Sequence, residues 1–388
     1  MFSNNEINFE LLKARAFNLR WASVSEGVIP LTAADPDFMC APAIADALQK
    51  YIKDRYFSYA PAEGYGFFKE AVANFHMEKR NMKTKPEWVL PVDSAAYGIY
   101  AVCKTFLEKG DEAIVFNPVD FLFAYSVEAV GAQAIRMPVP FNPSEEVDYE
   151  LLRKLITPKT KLICLCNPLN PTGKVFTKDE LTKIGQLAIE HNLLILSDEI
   201  WSDIVFKPST YISMAAINAE IAERTIVVTG YSKSYGLAGL RVGSILAPSD
   251  ELFTKILLGS NHQATIAGCN VLAQVAATAA LNESADWLAS FINHLTKMRD
   301  LLVGGLNDLP GFSCALPQGC YLAFPDITGT GYSAQELQEL LLDKAKVAVV
   351  PGLPQWFGER AQGHIRLSFA TSEELLKESL YRMSTVIK

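Results

Sequence analysis

KLICLCNPLNPTG, residues 161 to 173, is the stretch whose reading decides the fold. Its first six residues are a short apolar run of the kind a fully buried strand needs, and Asn167-Pro168 ends that run in a turn. Cys164 and Cys166 alternate along it as small buried hydrophobes. Asn170 then lies between Pro168 and Pro171, whose rings restrict the backbone and hold one side-chain amide at a fixed place. The same rhythm runs upstream from about residue 89, where WVLPV, EAIVF and AQAIRMPV alternate with the longer amphipathic runs SAAYGIYAVCKTFLEK and FLFAYSVEAV. Downstream it continues through KDELTKIGQLAIEHN, LLILS, TIVVT and GSILA. This βαβ alternation predicts an α/β fold, a mostly parallel sheet flanked on both faces by helices. After about residue 268 the pattern changes to long Ala/Leu-rich helices, then short strand candidates at CYLAF, VAVV and HIRLSF and a last helix from about 372. A second, smaller α+β unit is expected there.

Composition narrows the class. The chain has 388 residues, 49 % of them hydrophobic, enough for a large core and more than one average domain. Its net charge of −8 argues against the basic face that a nucleic-acid partner requires. The seven cysteines show no CxxC pair and no zinc-like spacing, so no metal is expected. MFSNNEINFE at the start has neither a basic nor an apolar targeting region, and no apolar run approaches about 18 residues. A soluble, cytoplasmic protein without a membrane partner is the expectation. A nucleotide-dependent enzyme on a doubly wound sheet is disfavoured, because GxGxxG after the first strand and a GK[ST] loop are both missing.

Two further segments put reactive groups beside strand ends. In SDEIW (197 to 201), Asp198 follows the strand run LLILS, and open α/β sheets place ligands outside the carboxyl ends of their strands. In YSKSYGLAGLRVG (231 to 243), Lys233 comes just past TIVVT, in a loop where an amine can be desolvated and become nucleophilic. An amine, a carboxylate, an amide and an arginine are the groups that pyridoxal 5′-phosphate (PLP) chemistry requires. They bind the cofactor, keep its ring nitrogen protonated, donate to its 3-oxygen and anchor its phosphate.

Together these segments resemble the class I/II aminotransferase family, PLP-dependent enzymes of fold type I whose type member is aspartate aminotransferase. The resemblance covers nearly the whole chain. NPLNPTG and SKSYGLAGLRVG are close to the family pattern; IPLTAADPDF (29 to 38), which contains Ala34, is similar to the segment that closes over substrate. YAPAEGYGFFKEAV (59 to 72) resembles the pattern whose tyrosine, here Tyr59, reaches the phosphate of the neighbouring subunit, and HIRLSFA (364 to 370) resembles the strand whose arginine binds the substrate carboxylate. The resemblance implies a large PLP domain over 46–285, a small domain from 1–45 and 286–388, and a homodimer with shared active sites. It implies that Lys233 carries the cofactor and moves protons, that Asp198 pairs with the pyridine nitrogen and that Asn170 bonds the 3-oxygen. Arg241, Ser232 and the helix start at Ser94, Ala95 and Ala96 would hold the phosphate, while Arg366 would grip the α-carboxylate.

The departures are specific. Trp201 stands where many members have a tyrosine that donates to the 3-oxygen, and an indole N–H donates but cannot accept. Asp120 stands where an aromatic usually stacks on the ring, which leaves Phe121 or Phe123 for that task; Gly230 replaces a common serine. These features, with Arg20-Trp21 upstream, are similar to the branch of cystathionine β-lyases and related C–S lyases. Transfer of an amino group between an amino acid and a 2-oxo acid is therefore the first expectation. A PLP-dependent C–S β-lyase is the second, and a PLP-binding regulatory protein the third. Trp201, Asp120 and His262 are candidate specificity residues, although a lone histidine such as His262 is more often a polar loop residue than a substrate ligand.

Overall fold

The computed structural model describes residues 2–266 and 268–387, and its strands follow the apolar runs read above. In chain order they are β1 (Ile29–Pro30), β2 (Val89–Val92), β3 (Glu112–Asn117), β4 (Gln133–Pro138), β5 (Thr160–Cys166), β6 (Leu194–Asp198), β7 (Thr225–Gly230) and β8 (Gly243–Leu246). They are followed by β9 (Leu322–Ala323), β10 (Val347–Ala348), β11 (Val350–Pro351) and β12 (Ile365–Ser368). Seven strands form one sheet in the order β2-β8-β7-β6-β5-β3-β4. β4, β3, β5, β6 and β7 run parallel, and β8 is antiparallel to both of its neighbours. Every residue of β3 and β7 is buried, as a parallel sheet covered on both faces requires of its strands.

Helix starts follow from local chemistry. Ser94 accepts a bond from Tyr97 N and opens the helix Ala95–Phe106, and Thr177 with Glu180 forms a capping box for Lys178–Glu190. The long helices Val271–Glu283 and Ala285–Asn307 break at Ser284. β11, β12 and β9 form a separate antiparallel sheet. β1 pairs with β10 in parallel, so the N-terminal segment is stitched to the C-terminal part of the chain. A buried pair of Arg20 with Asp37, reinforced by Arg20 to Pro30 O (2.6 Å) and Trp21 Nε1 to Asp37 Oδ1 (2.7 Å), fixes the path of residues 29–38. No helix among the described residues is long and apolar enough to cross a membrane.

The strand order sets the site. From β3 the chain steps outward to β4, then returns past β3 to β5 and proceeds through β6 to β7. The order reverses between β3 and β5, and a crevice opens outside the carboxyl ends of strands at such a point.

Candidate active site

A cleft of about 330 Å³ lies there, and residues from almost every segment singled out above line it. Asp120 comes from the loop after β3, Asn170 from the loop after β5, Asp198 from the end of β6 and Lys233 from just past β7. Ser94, Ala95, Ala96, Ser232 and Arg241 also line it, as do Ala34, Trp201, Phe121, Phe123 and Arg366.

Lys233 sits on a single helical turn, Ser232–Tyr235, where the sequence suggested a loop. It keeps one face open to the cleft, and its Nζ donates to Ala34 O at 2.9 Å and lies 5.4 Å from the Trp201 ring centre. Burial lowers its pKa, with Asp35 opposing and Arg366 adding to the fall. Such an amine is closer to its neutral, nucleophilic form than a surface lysine. Asp198 is buried, and its side chain accepts a bond from Ile200 N at 3.1 Å. Burial pushes its pKa up to about 7, partly opposed by the Ile200 bond and increased by Asp120 and Glu199. A carboxylate in that position suits a cationic N–H partner arriving from the cleft.

Asn170 ties two strand ends together. Its Nδ2 donates to Asp120 Oδ2 at 3.0 Å, and its Oδ1 accepts from Arg366 Nη1 at 3.1 Å. Because a guanidinium only donates and a carboxylate oxygen accepts, the amide has one sensible orientation. Arg366 Nη2 donates to Thr32 O at 3.3 Å, the guanidinium lies 5.0 Å over the Phe357 ring, and Nε is buried without a partner. Burial lowers its pKa as well. A buried fork with a spare donor fits a carboxylate.

The amides of Ala95 and Ala96 are the first of a twelve-residue helix and have no partners within it. Gly243 packs close below: a Cβ there would lie 2.9 Å from Ala95 N and 2.8 Å from Thr229 O. Arg241 is exposed beside them in a left-handed conformation, φ 56°. These groups together fit a phosphate.

Three sequence expectations change or gain detail. His262 does not line this cleft: its buried ring bonds Ser260 Oγ (2.6 Å) and Pro91 O (3.0 Å), so it pins a loop. Trp201 is 2 % exposed and meets Tyr321 edge to face at 4.8 Å, so it is a packed wall as well as a lining residue. Tyr59 does not line the cleft of its own chain and is 98 % exposed. Residues that sequence reasoning passed over are Tyr321, whose hydroxyl donates to Ala34 O at 3.0 Å, and the aromatic pair Trp356 and Phe357. The first lies in CYLAF, read only as a short strand, and the other two in a segment that received no reading.

A buried amine, an unpaired buried carboxylate, a fixed amide and a free helix N-terminus around one crevice of an α/β sheet define a PLP-dependent enzyme of fold type I. Comparison with known proteins agrees: a family model, Aminotransferase class I and II, matches residues 26–382. This chain belongs to the class I and II aminotransferase family. It is 31 % identical over 371 residues to an aspartate aminotransferase of Pyrococcus abyssi (strain GE5 / Orsay), covering 95 % of this chain and 93 % of that one. A PLP-bound crystal structure from Clostridium difficile 630, assigned as an aminotransferase, superposes with a TM-score of 0.90 at 30 % identity, covering 97 % of this chain and 98 % of that one. Cystalysin of Treponema denticola, whose structure contains PLP, also reaches 0.90, over 100 % and 98 % of the two chains, but at 22 % identity it shares the fold alone.

Proposed function

We propose that this protein is a PLP-dependent aminotransferase that moves an amino group between an amino acid and a 2-oxo acid. The observation that carries the reading is Lys233, an amine enclosed beside Asp198 and Arg366 in one cleft. Bound there, PLP supplies a conjugated ring that withdraws electrons from the substrate α-carbon. Asp198 would accept from the ring N–H and keep its proton in place; Asn170 Nδ2, with one hydrogen committed to Asp120, has a second that would serve the 3-oxygen. The amides of Ala95 and Ala96, with Ser94, Ser232 and Arg241, would hold the phosphate. Arg366 grips the α-carboxylate through Nε and one Nη, which orients the α-C–H bond. Lys233 Nζ would serve as the base that takes the α-proton and as the acid that gives it back. Ala34, whose carbonyl holds Lys233, marks the segment 29–38 that shuts water out. The stacking task falls to Phe121 or Phe123, both of which line the cleft.

Elimination from a sulfur amino acid begins with the same proton removal, and no observation here favours it. The family and the complete set of reacting groups likewise leave a purely regulatory role unsupported. The large domain over 46–285 and small domain from 1–45 and 286–388 are supported by the pairing of β1 with β10 and by the helix break at Ser284. A homodimer with shared active sites is supported by the exposure of Tyr56 (79 %), Phe57 (58 %) and Tyr59 (98 %) on one segment, from which Tyr59 would reach the partner's phosphate site. Seven free cysteines fit a reducing, cytoplasmic location. The test is product analysis with amino acid and 2-oxo acid pairs: a new 2-oxo acid and a new amino acid in equal amounts support transfer. Ammonia and sulfide without a new amino acid would replace it by elimination.

A further inference from the structure

We infer that Arg80, Asp203 and Ser234 are positioning residues for Lys233: an arginine–carboxylate pair behind the cleft holds, through one serine hydroxyl, the turn that presents the amine. None of the three lines the cleft. The inference rests on the reading of Lys233 as the amine that takes PLP. Lys233 needs such support, because its turn, Ser232–Tyr235, is only four residues long. One backbone bond, Tyr235 N to Tyr231 O at 3.2 Å, spans it, and a helical segment this short is not stable on its own. Gly236 follows in the left-handed region (φ 69°), so the helix stops there. Behind the turn, Ser234 is wholly buried and its hydroxyl donates to Asp203 Oδ2 at 2.7 Å. Asp203 belongs to the loop after β6, so its carboxylate ties the loop that follows Asp198 to the turn that carries Lys233.

The other oxygen of that carboxylate, Oδ1, pairs with Arg80 Nη2, which also lies 3.5 Å from Ser202 Oγ. Arg80 is itself well anchored. It ends the helix Gly66–Arg80, whose last turn is closed by the Asn81 N–H donating to His76 O, and its guanidinium lies 4.9 Å from the Tyr211 ring centre and 5.4 Å from that of Phe75. A planar cation against two rings has little freedom to move. Beside it Asp203 stays ionised, and an ionised acceptor holds a hydroxyl more firmly than a neutral one. The hydroxyl so held belongs to the residue next to Lys233. A displacement of the turn by about 1 Å would misplace Nζ, and an error of that size costs up to roughly 100-fold in a reaction.

The test is the Kd of PLP for the cofactor-stripped protein, measured by fluorescence titration in two backgrounds, with Lys233 present and with Lys233→Ala. If the three residues act through Lys233, Ser234→Ala should raise the Kd roughly tenfold when Lys233 is present and less than about twofold when it is alanine. Arg80→Met, at the far end of the same set of bonds, should show the same dependence on Lys233. The double variant Arg80→Met/Ser234→Ala should lose little more than the worse of the two single variants, because both interrupt one connection. Ser234→Ala removes a single hydroxyl, so it carries the test alone if Arg80→Met does not fold. Equal losses in both backgrounds would overturn the inference, since the bonds would then serve the fold or the phosphate groups and not the amine. A Lys233→Ala protein that binds PLP as tightly as the unchanged one would remove the reading of Lys233 itself, and the positioning role with it.

Discussion

Replacing Arg366 by lysine keeps the charge and removes the fork, so it isolates what the guanidinium geometry contributes. Arg366 is 8 % exposed, gives Nη1 to Asn170 and Nη2 to Thr32, and leaves Nε free for substrate. A lysine ammonium cannot hold a carboxylate in two parallel bonds and also serve Asn170 Oδ1. Losing one charge-assisted bond costs about 1.5 to 3 kcal/mol, and leaving a buried acceptor unmet costs about 1 to 3 kcal/mol. The two overlap, so about 2 to 4 kcal/mol is expected in the transition state, or roughly 30- to 900-fold in kcat/KM for every amino acid substrate. Steady-state kinetics with several amino acids reads this directly. PLP content, followed by absorbance, should stay near that of the unchanged enzyme, because Arg366 lies apart from the phosphate groups. A kcat/KM within about twofold of the original, with PLP bound, would show that the carboxylate is held elsewhere.

Gly243→Ala would press a methyl against the backbone at Ala95 and Thr229. It should weaken PLP binding to the cofactor-stripped protein by roughly tenfold or more, and an unchanged Kd in a fluorescence titration would remove the helix start as the phosphate site. Asp198 in the stripped protein has a pKa raised from 3.8 to about 7, so the folded state binds more protons than the unfolded one between those values. Its contribution to stability therefore falls as pH rises from about 4 to about 7. Asp198→Asn escapes this, and the Tm of the variant minus that of the original should grow across that window and level off above it. A constant difference would contradict an unpaired buried carboxylate. Trp201→Ala opens a cavity against Tyr321 and should cost about 3 to 5 kcal/mol; a urea midpoint that does not move would show that neither ring is packed as described.

Much of this architecture was legible in the chain because buried parallel strands must be apolar throughout and their exits must be turns. The ends of β5 and β6, which carry Asn170 and Asp198, follow from runs such as KLICLC and LLILS. The bond between Asp120 and Asn170 does not, because it depends on β3 lying next to β5, a spatial order that a one-dimensional pattern of runs does not state. The two-residue strands β1 and β10 are too short for a period to show, yet their pairing brings residues 29–38 over Lys233. Trp356 and Phe357 reach the cleft, and Tyr321 backs it through Ala34 and Trp201, from residues beyond 320 through tertiary packing, and nothing in CYLAF or PQWF distinguishes them locally from ordinary core aromatics. His262 shows the opposite limit, since the loop role favoured for it says nothing of burial. A polar residue in a polar run proved to be a buried bracket between Ser260 and Pro91.

The central claim is that Lys233 is the amine that binds PLP, and borohydride reduction of the PLP-loaded protein followed by peptide mass analysis tests it most directly. The account predicts a single reduced pyridoxyl adduct on Lys233, lost in Lys233→Ala together with turnover while some noncovalent PLP affinity remains. An adduct on Lys255 or any other lysine, or full activity in Lys233→Ala, would contradict it.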